Sequence, residues 1–340
     1  MTSASEVVDR GLALGFDRVG IARAEPLSPE GERLRAWIAS GKHGQMAWMA
    51  ENVDVRCDPT QPGMLDGAAS VVVCALAFAR PSDVVPKTRI ARYARGHEYH
   101  NVVRKKARRL AAWLRSMGHR ARPLVDDAPV FERAWAQRAG IGFVGKNCML
   151  IVPGLGSHVF LAEVVTDAAL EPTEPASERC GSCRLCLDAC PTSAFDSAWQ
   201  LDARRCVSYA TIEHRGPIAD EIRPGIGDHL FGCDDCQDVC PFNKTSIADL
   251  QRSNAFAPDP RWNAPPESLL GLTEEQFLQL TLGSSVRRAT RESLVRNACI
   301  VLGNTGNRDH VPALRRTAET DDSPVVREAA QWAITRLEKG

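Results

Sequence analysis

The chain has 340 residues, of which 44% are hydrophobic and 25% charged, an ordinary balance for a folded protein of two or three domains that excludes wholesale disorder and fibrous repeats. Lys+Arg and Asp+Glu both number 42, so any surface for a polyanion must be local, and no apolar run approaches the ~20 residues of a membrane span. Twelve cysteines in a chain with no basic-then-apolar leader at its start point to a cytoplasmic protein that uses thiols for metal or catalysis, since disulfides do not persist there.

Along the chain, residues 1–167 alternate strand-like and helix-like segments. Ser70–Phe78 reads as a buried strand, Val102–Gly118 as a basic amphipathic helix, and Cys148–Val152 as a short apolar run. This alternation predicts an α/β or α+β domain with helices packed on a sheet. Residues 168–177, with two prolines among small residues, mark a boundary. A cysteine-rich module spans 168–246. Beyond the proline-rich Ala255–Glu267 the texture of 247–340 is helical. There Arg296-Asn297-Ala298 and Arg327-Glu328-Ala329 sit in similar apolar settings, and a helix over Asp309–Thr320 would separate them. The pattern is that of stacked HEAT-like repeats, with an ordinary helical cap on the preceding domain as the alternative.

Cys180, Cys183, Cys186 and Cys190-Pro191 follow the C-x2-C-x2-C-x3-C-P spacing of bacterial ferredoxins, whose fourth cysteine ligates the neighbouring cluster. A second group, Cys206 with Cys233, Cys236 and Cys240-Pro241, has its first ligand displaced far upstream. Eight thiolates are what two [4Fe–4S] clusters need. The crossover assigns Cys180, Cys183, Cys186 and Cys240 to one and Cys190, Cys206, Cys233 and Cys236 to the other. Two all-cysteine zinc sites would also use eight thiolates, but the doubled C-x3-C-P endings argue for iron. Of the remaining cysteines, Cys74 and Cys299 lie in apolar runs and read as inert core. Two such clusters make a one-electron relay that needs an external donor and an acceptor elsewhere in the chain. No GxGxxG fingerprint is present, and Gly140 to Lys146 matches a phosphate loop only until Asn147 replaces the required hydroxyl residue. The hard chemistry is expected to belong to another cofactor.

The blocks Leu14–Ile21, Gly41–Met46, Arg56–Pro59, Arg92–Gly96 with Tyr99-His100, Val125–Pro129, Ala139–Asn147, Gly156-Ser157, Cys206–Gly216 and Gly232–Pro241 resemble the epoxyqueuosine reductases, cobalamin-dependent iron–sulfur enzymes that complete queuosine in tRNA. The resemblance implies a nitroreductase-like cobalamin-binding domain, a ferredoxin-like two-cluster module and HEAT-like helices in a monomer. It implies that low-valent cobalt, fed by the clusters, attacks an epoxide carbon, and that an acid protonates the oxygen released. The family motif places that acid at Asp126. To act at pH 7 it must be held protonated, which burial against corrin and substrate would favour. Asp127 departs from the family's usual hydroxyl residue and reads as a solvated or capping carboxylate. In a strand, the two side chains would face opposite ways.

The same resemblance implies that Arg56, Tyr93, Asp126, Lys146, Asn147, Gly156, Ser157, Ser208 and Tyr209 border the corrin. Cys148, beside Lys146-Asn147, reads as a small core residue. For the tRNA, two basic clusters stand out: Arg104, Lys105, Lys106, Arg108, Arg109, Arg115, Arg120 and Arg122, and Arg287, Arg288, Arg291 and Arg296. Single-stranded loops are read through splayed bases and backbone charge, so such patches suit the substrate. A corrinoid reductive-dehalogenase-like reductase of a small molecule is the alternative. It would need neither basic patches nor a helical C-terminal region. A non-catalytic electron-transfer subunit would not need the Asp126 block, and a zinc-bearing tRNA-binding module would lack the brown colour of iron–sulfur protein.

Overall fold

The computed structural model of this chain describes residues 2–61, 63–78, 89–126, 128–244 and 256–339. The first region runs α1 (Ala4–Ala13), β1 (Arg18–Arg23), α2 (Ser28–Ala39), α3 (Val53–Cys57), β2 (Ser70–Ala77), β3 (Arg89–Ile90), α4 (Tyr99–Ser116), β4 (Ala121–Leu124), α5 (Glu132–Arg138), β5 (Phe143–Val144), β6 (Leu150–Ile151) and β7 (Val159–Thr166). The main sheet has the order β1-β2-β7-β4 and is antiparallel throughout. The apolar run Ser70–Ala77 becomes its central strand β2, buried at every position. Val72, Cys74 and Leu76 face a core closed by Val103, Ala107, Leu110 and Leu114 of α4, while Val71, Val73 and Ala75 face Ala134 and Trp135 of α5. Each such valine contributes about 1.5–3 kcal/mol by burial. Helix α4 forms because its apolar residues recur every three or four positions, leaving its basic residues on the other face. Pro123 is tolerated in β4 because that strand lies at the sheet edge.

The cysteine-rich region contributes α6 (Leu185–Asp188), β8 (Phe195–Ser197), β9 (Gln200–Leu201), α7 (Val207–Ile212), α8 (Arg223–Ile226), β10 (His229–Phe231), α9 (Asp235–Asp238) and α10 (Pro241–Lys244). Residues 168–177 run along the first region: the Thr173 amide donates to Ile21 O (2.8 Å) and the Ala176 amide to Gln137 O (2.9 Å). Strand β10 pairs in parallel with β3, and Asp234, Asp235 and Asp238 accept from Arg92 and Arg89, so the module is clamped to the α/β region. The boundary drawn between 246 and 247 lies outside the described residues.

The C-terminal region holds α11 (Glu274–Leu280), α12 (Arg291–Thr305), α13 (Val311–Thr320) and α14 (Pro324–Lys339). Helix α13 fills the interval where a helix was predicted, and the two similar segments fall in α12 and α14, which pack on one another. Helix α12 is buried on almost every side, between α14 and the α7 and β10 elements of the cysteine module. Among the described residues no helix is long and apolar enough to cross a membrane.

Candidate functional site

Asp126 lies just past the end of β4, not in it, so the two-faced strand argument for the Asp126-Asp127 pair does not apply. The chain turns there with φ +33°, a left-handed value an aspartate adopts only when held. Asp127 lies outside the described residues. Three groups hold Asp126. Its amide donates to Glu132 Oε1 of α5 (2.8 Å), the Tyr99 hydroxyl donates to Oδ2, and His100 Nε2 stands 3.3 Å from the same oxygen. Tyr99 and His100 open α4, with their rings stacked at 4.1 Å, and Tyr99 stacks in turn on Phe160 of β7 at 4.2 Å. Tyr93 stands edge-on to Tyr99 at 6.1 Å. His100 Nδ1 is 2.6 Å from Glu98 Oε1.

The electrostatics follow from this packing. Burial pushes the Asp126 carboxyl up, but the hydrogen bonds from His100 and Tyr99 outweigh it and hold the group below the usual carboxylate range. The protonated acid expected from the sequence is therefore not the resting form. The neighbouring imidazole is favoured in its charged form instead: burial favours the neutral ring, but the hydrogen bonds and charges of Asp126 and Glu98 prevail and raise His100 to about 9. Burial and then the Asp126 charge push Glu132 up to about 8. Behind it Glu163 of β7 is fully buried, has no hydrogen-bond partner for either oxygen among the described residues, and is pushed well up by burial. Half of the Asp126 side chain (52%) still faces solvent, the side from which a substrate would approach.

Arg56 is buried, which pulls its guanidinium below the usual range although Glu132 and Asp126 act on it at longer reach, and no carboxylate forms an ion pair with it among the described residues. Its two terminal nitrogens reach Val130 O and Trp48 O only at 3.5 Å, and Nε has no partner among the described residues. A buried guanidinium so poorly satisfied is a donor set that a bound group with amide or phosphate oxygens would complete.

The structure brings the eight cysteines together in two adjoining groups. Cys186 is in electrostatic reach of Cys240 and Cys183, and Cys180 and Cys240 pack beneath Phe143 and Ile151. Cys206 is in reach of Cys190, Cys233 of Cys206 and Cys236, and Cys236 of Cys206 and Cys190. Cys236 also feels Cys186, so the sets adjoin. Burial raises Cys233 and Cys236, and neither is oxidised to a disulfide. Such neutral, crowded thiols ionise on binding a metal.

Lys146, Asn147, Gly156 and Ser157 form the seam between the sheet domain and these loops. Lys146 Nζ donates to Gly181 O (2.6 Å) and Cys183 O (2.9 Å), and Asn147 Nδ2 donates to Cys236 O (3.2 Å). The Ser157 amide donates to Asn243 Oδ1 (2.6 Å) and its hydroxyl to Gln237 (3.0 Å). Gly156, at φ +81°, has no room for a Cβ, which would fall 2.1 Å from Asn243 Oδ1. Tyr209, next to Ser208 on α7, accepts from the Gln45 amide (2.8 Å) and so secures the Gly41–Met46 block. Cys148, at φ +63°, is partly buried between Arg133 and the two cysteine sets; Cys74 and Cys299 are core residues as expected.

The basic clusters divide sharply. Arg296 is 1% exposed, and its guanidinium donates to Ala210 O, His214 O and Gly216 O (2.6–3.0 Å) and to Asn297 Oδ1, so no phosphate can reach it. That expectation is corrected: Arg296 is an internal staple for the end of α7. Arg291 is bound to Asp321 and Leu272 O. Arg287 and Arg288 are exposed, and Arg288, paired with Glu213, lies in electrostatic reach of Asp126 and Tyr93. In the other cluster Lys106, Arg115, Arg120 and Arg122 are spent on internal acceptors, while Lys105, Arg108 and Arg109 stand exposed on α4. Sequence reasoning quoted Tyr99-His100 as a block but gave it no role, and it passed over Glu98, Glu132 and Glu163, whose only signal is burial in three dimensions.

Residues 56–127 match the family model described as "Epoxyqueuosine reductase QueG, DUF1730", and residues 179–243 match the 4Fe-4S double cluster binding domain. The epoxyqueuosine reductase of Pseudomonas aeruginosa is 39% identical to this chain, over 98% of it and 94% of that protein. A crystal structure of an epoxyqueuosine reductase with an epoxyqueuosine-modified tRNA-Tyr stem loop superposes with a TM-score of 0.89 at 34% identity, over 98% of this chain and 89% of the other. The enzyme from Bacillus subtilis, captured with its catalytic aspartate loop swung out of the active site, superposes with a TM-score of 0.87 at 32% identity, over 98% and 90%.

Proposed function

Because this chain belongs to the epoxyqueuosine reductase family, we propose that it reduces epoxyqueuosine to queuosine at the wobble position of tRNA, with Asp126 delivering the proton that the opened epoxide takes up. The observation that carries the reading is a half-open Asp126 within reach of the exposed Arg288 and linked through Arg133 to Cys148 and the ferredoxin-type cysteine sets beside it. Cys180, Cys183, Cys186 and Cys240 hold one [4Fe–4S] cluster, and Cys190, Cys206, Cys233 and Cys236 hold the second. Cobalamin, when bound, supplies a low-valent cobalt able to reduce the epoxide carbon. The unmet donors of Arg56, the open face of Asp126 and Tyr93, and the seam residues Lys146, Asn147, Gly156, Ser157, Ser208 and Tyr209 are what we assign to its borders. The first four of those six touch the cysteine loops directly, three through hydrogen bonds and Gly156 by its close approach to Asn243.

The chain's own residues orient and protect the reaction. Tyr99 and His100 fix Oδ2 of Asp126, which leaves the other carboxylate oxygen toward the open side. Covering that side with corrin and nucleoside removes water and raises the carboxyl toward the protonated form. Arg288, in electrostatic reach of Asp126, and its exposed neighbour Arg287 are the charges we assign to the backbone of an anticodon loop whose wobble base lies at Asp126. Arg291 has its charge paired internally and plays at most a supporting part. A nitroreductase-like topology for the sheet domain, HEAT-like stacking of α12–α14, a monomeric cytoplasmic enzyme and an external one-electron donor complete the proposal. The test is anaerobic incubation of iron-loaded protein with cobalamin, a strong reductant and epoxyqueuosine-containing tRNA, with nucleosides read by mass spectrometry. Queuosine is expected only when all components are present. Its absence from protein with both clusters and cobalamin bound would refute the reading in favour of a small-molecule corrinoid reductase.

A further inference from the structure

Asp126 has to be supplied with a proton in every turnover, and the supply is visible beside it. Glu98, His100 and Asp126 form an unbroken line: Glu98 Oε1 to His100 Nδ1 at 2.6 Å, and His100 Nε2 to Asp126 Oδ2 at 3.3 Å. The line is rigid. His100 stacks on Tyr99, which stacks on Phe160 of the central sheet. Glu98 caps α4 by accepting from the His100 amide (3.2 Å) and is held from the C-terminal region, its own amide donating to Gly283 O (2.9 Å) and Ser285 Oγ donating to its carboxylate (3.1 Å). The line meets water along its length, with 25% of the His100 side chain and 22% of the Glu98 side chain exposed.

We propose that His100, oriented by Glu98, is the positioning residue that loads Asp126 with the proton it gives to substrate. This rests on the reading of the chain as an epoxyqueuosine reductase. The Nε2–H bond of His100 breaks as an O–H bond forms at Oδ2 of Asp126. Released by that transfer from its bond to His100, the carboxyl makes a half-turn that carries the proton to the oxygen freed from the epoxide, and Nε2 of neutral His100, uncovered by the turn, regains a proton from water. No electron moves in these steps. The charged groups that act on the ring are Glu98 before α4, Asp126 beyond β4 and Glu132 on α5, while Arg133 and Arg288 act on Asp126 itself. Carboxylates bracket the imidazole on both nitrogens, which keeps it charged across the neutral range. The same arrangement explains why a carboxyl held below its usual range can still serve as an acid.

The experiment combines pH–rate profiles of the reconstituted enzyme with a direct titration of the ring in selectively 15N-His-labelled holoprotein. In the wild type, kcat should hold through neutral pH and fall as pH rises through about 9, where the ring loses its proton. His100→Gln should lose about 100-fold or more in kcat at pH 8, with KM for tRNA within about twofold, and should recover toward acid pH, where water protonates Asp126 directly. Glu98→Gln should shift both the alkaline limb and the ring's NMR titration to lower pH by about one unit or more. Should His100→Gln not fold, the wild type and Glu98→Gln decide the matter alone. An imidazole titrating at the ordinary ~6.5, or a His100→Gln enzyme with wild-type kcat and the same limb, would overturn the inference alone. No queuosine from the wild type would overturn the parent reading, and this one with it.

Discussion

Arg296 is where the reading from sequence and the structure diverge, and one substitution separates them. Arg296→Met keeps most of the side-chain volume and removes the charge and all donors. Three carbonyls, those of Ala210, His214 and Gly216, lose their partner, and Asn297 Oδ1 loses a fourth contact. Hydrogen bonds to a charged donor contribute about 1.5–3 kcal/mol each, while ceasing to bury a guanidinium returns several kcal/mol. A net loss of about 3 kcal/mol is expected, a large part of the ~5–15 kcal/mol that holds a domain together. Because the stapled segment follows Cys206 through α7, the second cluster should also become labile. Urea denaturation should show a lower midpoint with unchanged slope, and iron content together with the visible absorbance of the cluster should fall in parallel. The tRNA affinity of the folded fraction should not change. A variant with wild-type midpoint and iron content but weakened, less salt-dependent tRNA binding would refute the staple and restore Arg296 as a phosphate contact.

Other consequences are equally direct. Replacing Arg287 and Arg288 together by Ala should weaken tRNA binding and reduce the slope of log affinity against log salt by about 1–2, measured by fluorescence anisotropy, if both neutralise phosphates. Gly156→Ala places a methyl group against Asn243 at a positive φ and should cost about 2–3 kcal/mol with loss of iron from the set containing Cys240, seen by denaturation and iron assay. Glu132 is raised to about 8 in the folded chain from about 4.5. Its contribution to stability is therefore complete below about 4.5 and lost as pH rises through about 8, and Glu132→Gln should flatten the stability profile across that window. Glu132→Ala should instead free the Asp126 amide and lower kcat, whereas Glu132→Gln, which keeps an acceptor there, should not.

Cluster chemistry was legible in the sequence because a cubane dictates ligand spacing, and the chain cannot vary the distances between Cys180, Cys183 and Cys186 without losing it. The strand at Ser70–Ala77 was legible because burial on both faces demands an uninterrupted apolar run. Arg296 was misread because a charge amid other charges looks solvated, and nothing local announces that α12 is enclosed by α7 and β10. The surroundings of Asp126 were illegible for a related reason. Glu98 and His100 come from the start of α4, Glu132 from α5 and Glu163 from the middle of β7, so only the closed sheet brings them to one place. Their burial, which sets where the proton resides, has no signature in residue type.

The central claim is that Asp126 delivers the proton in reduction of epoxyqueuosine in tRNA. Its most direct test is a single-turnover conversion, under anaerobic conditions, by wild type and Asp126→Ala carrying equal iron and equal cobalamin. Queuosine from the wild type, and none from the variant despite intact tRNA binding, is the expected result. Wild-type rates from the variant would remove Asp126 from the chemistry and contradict the account.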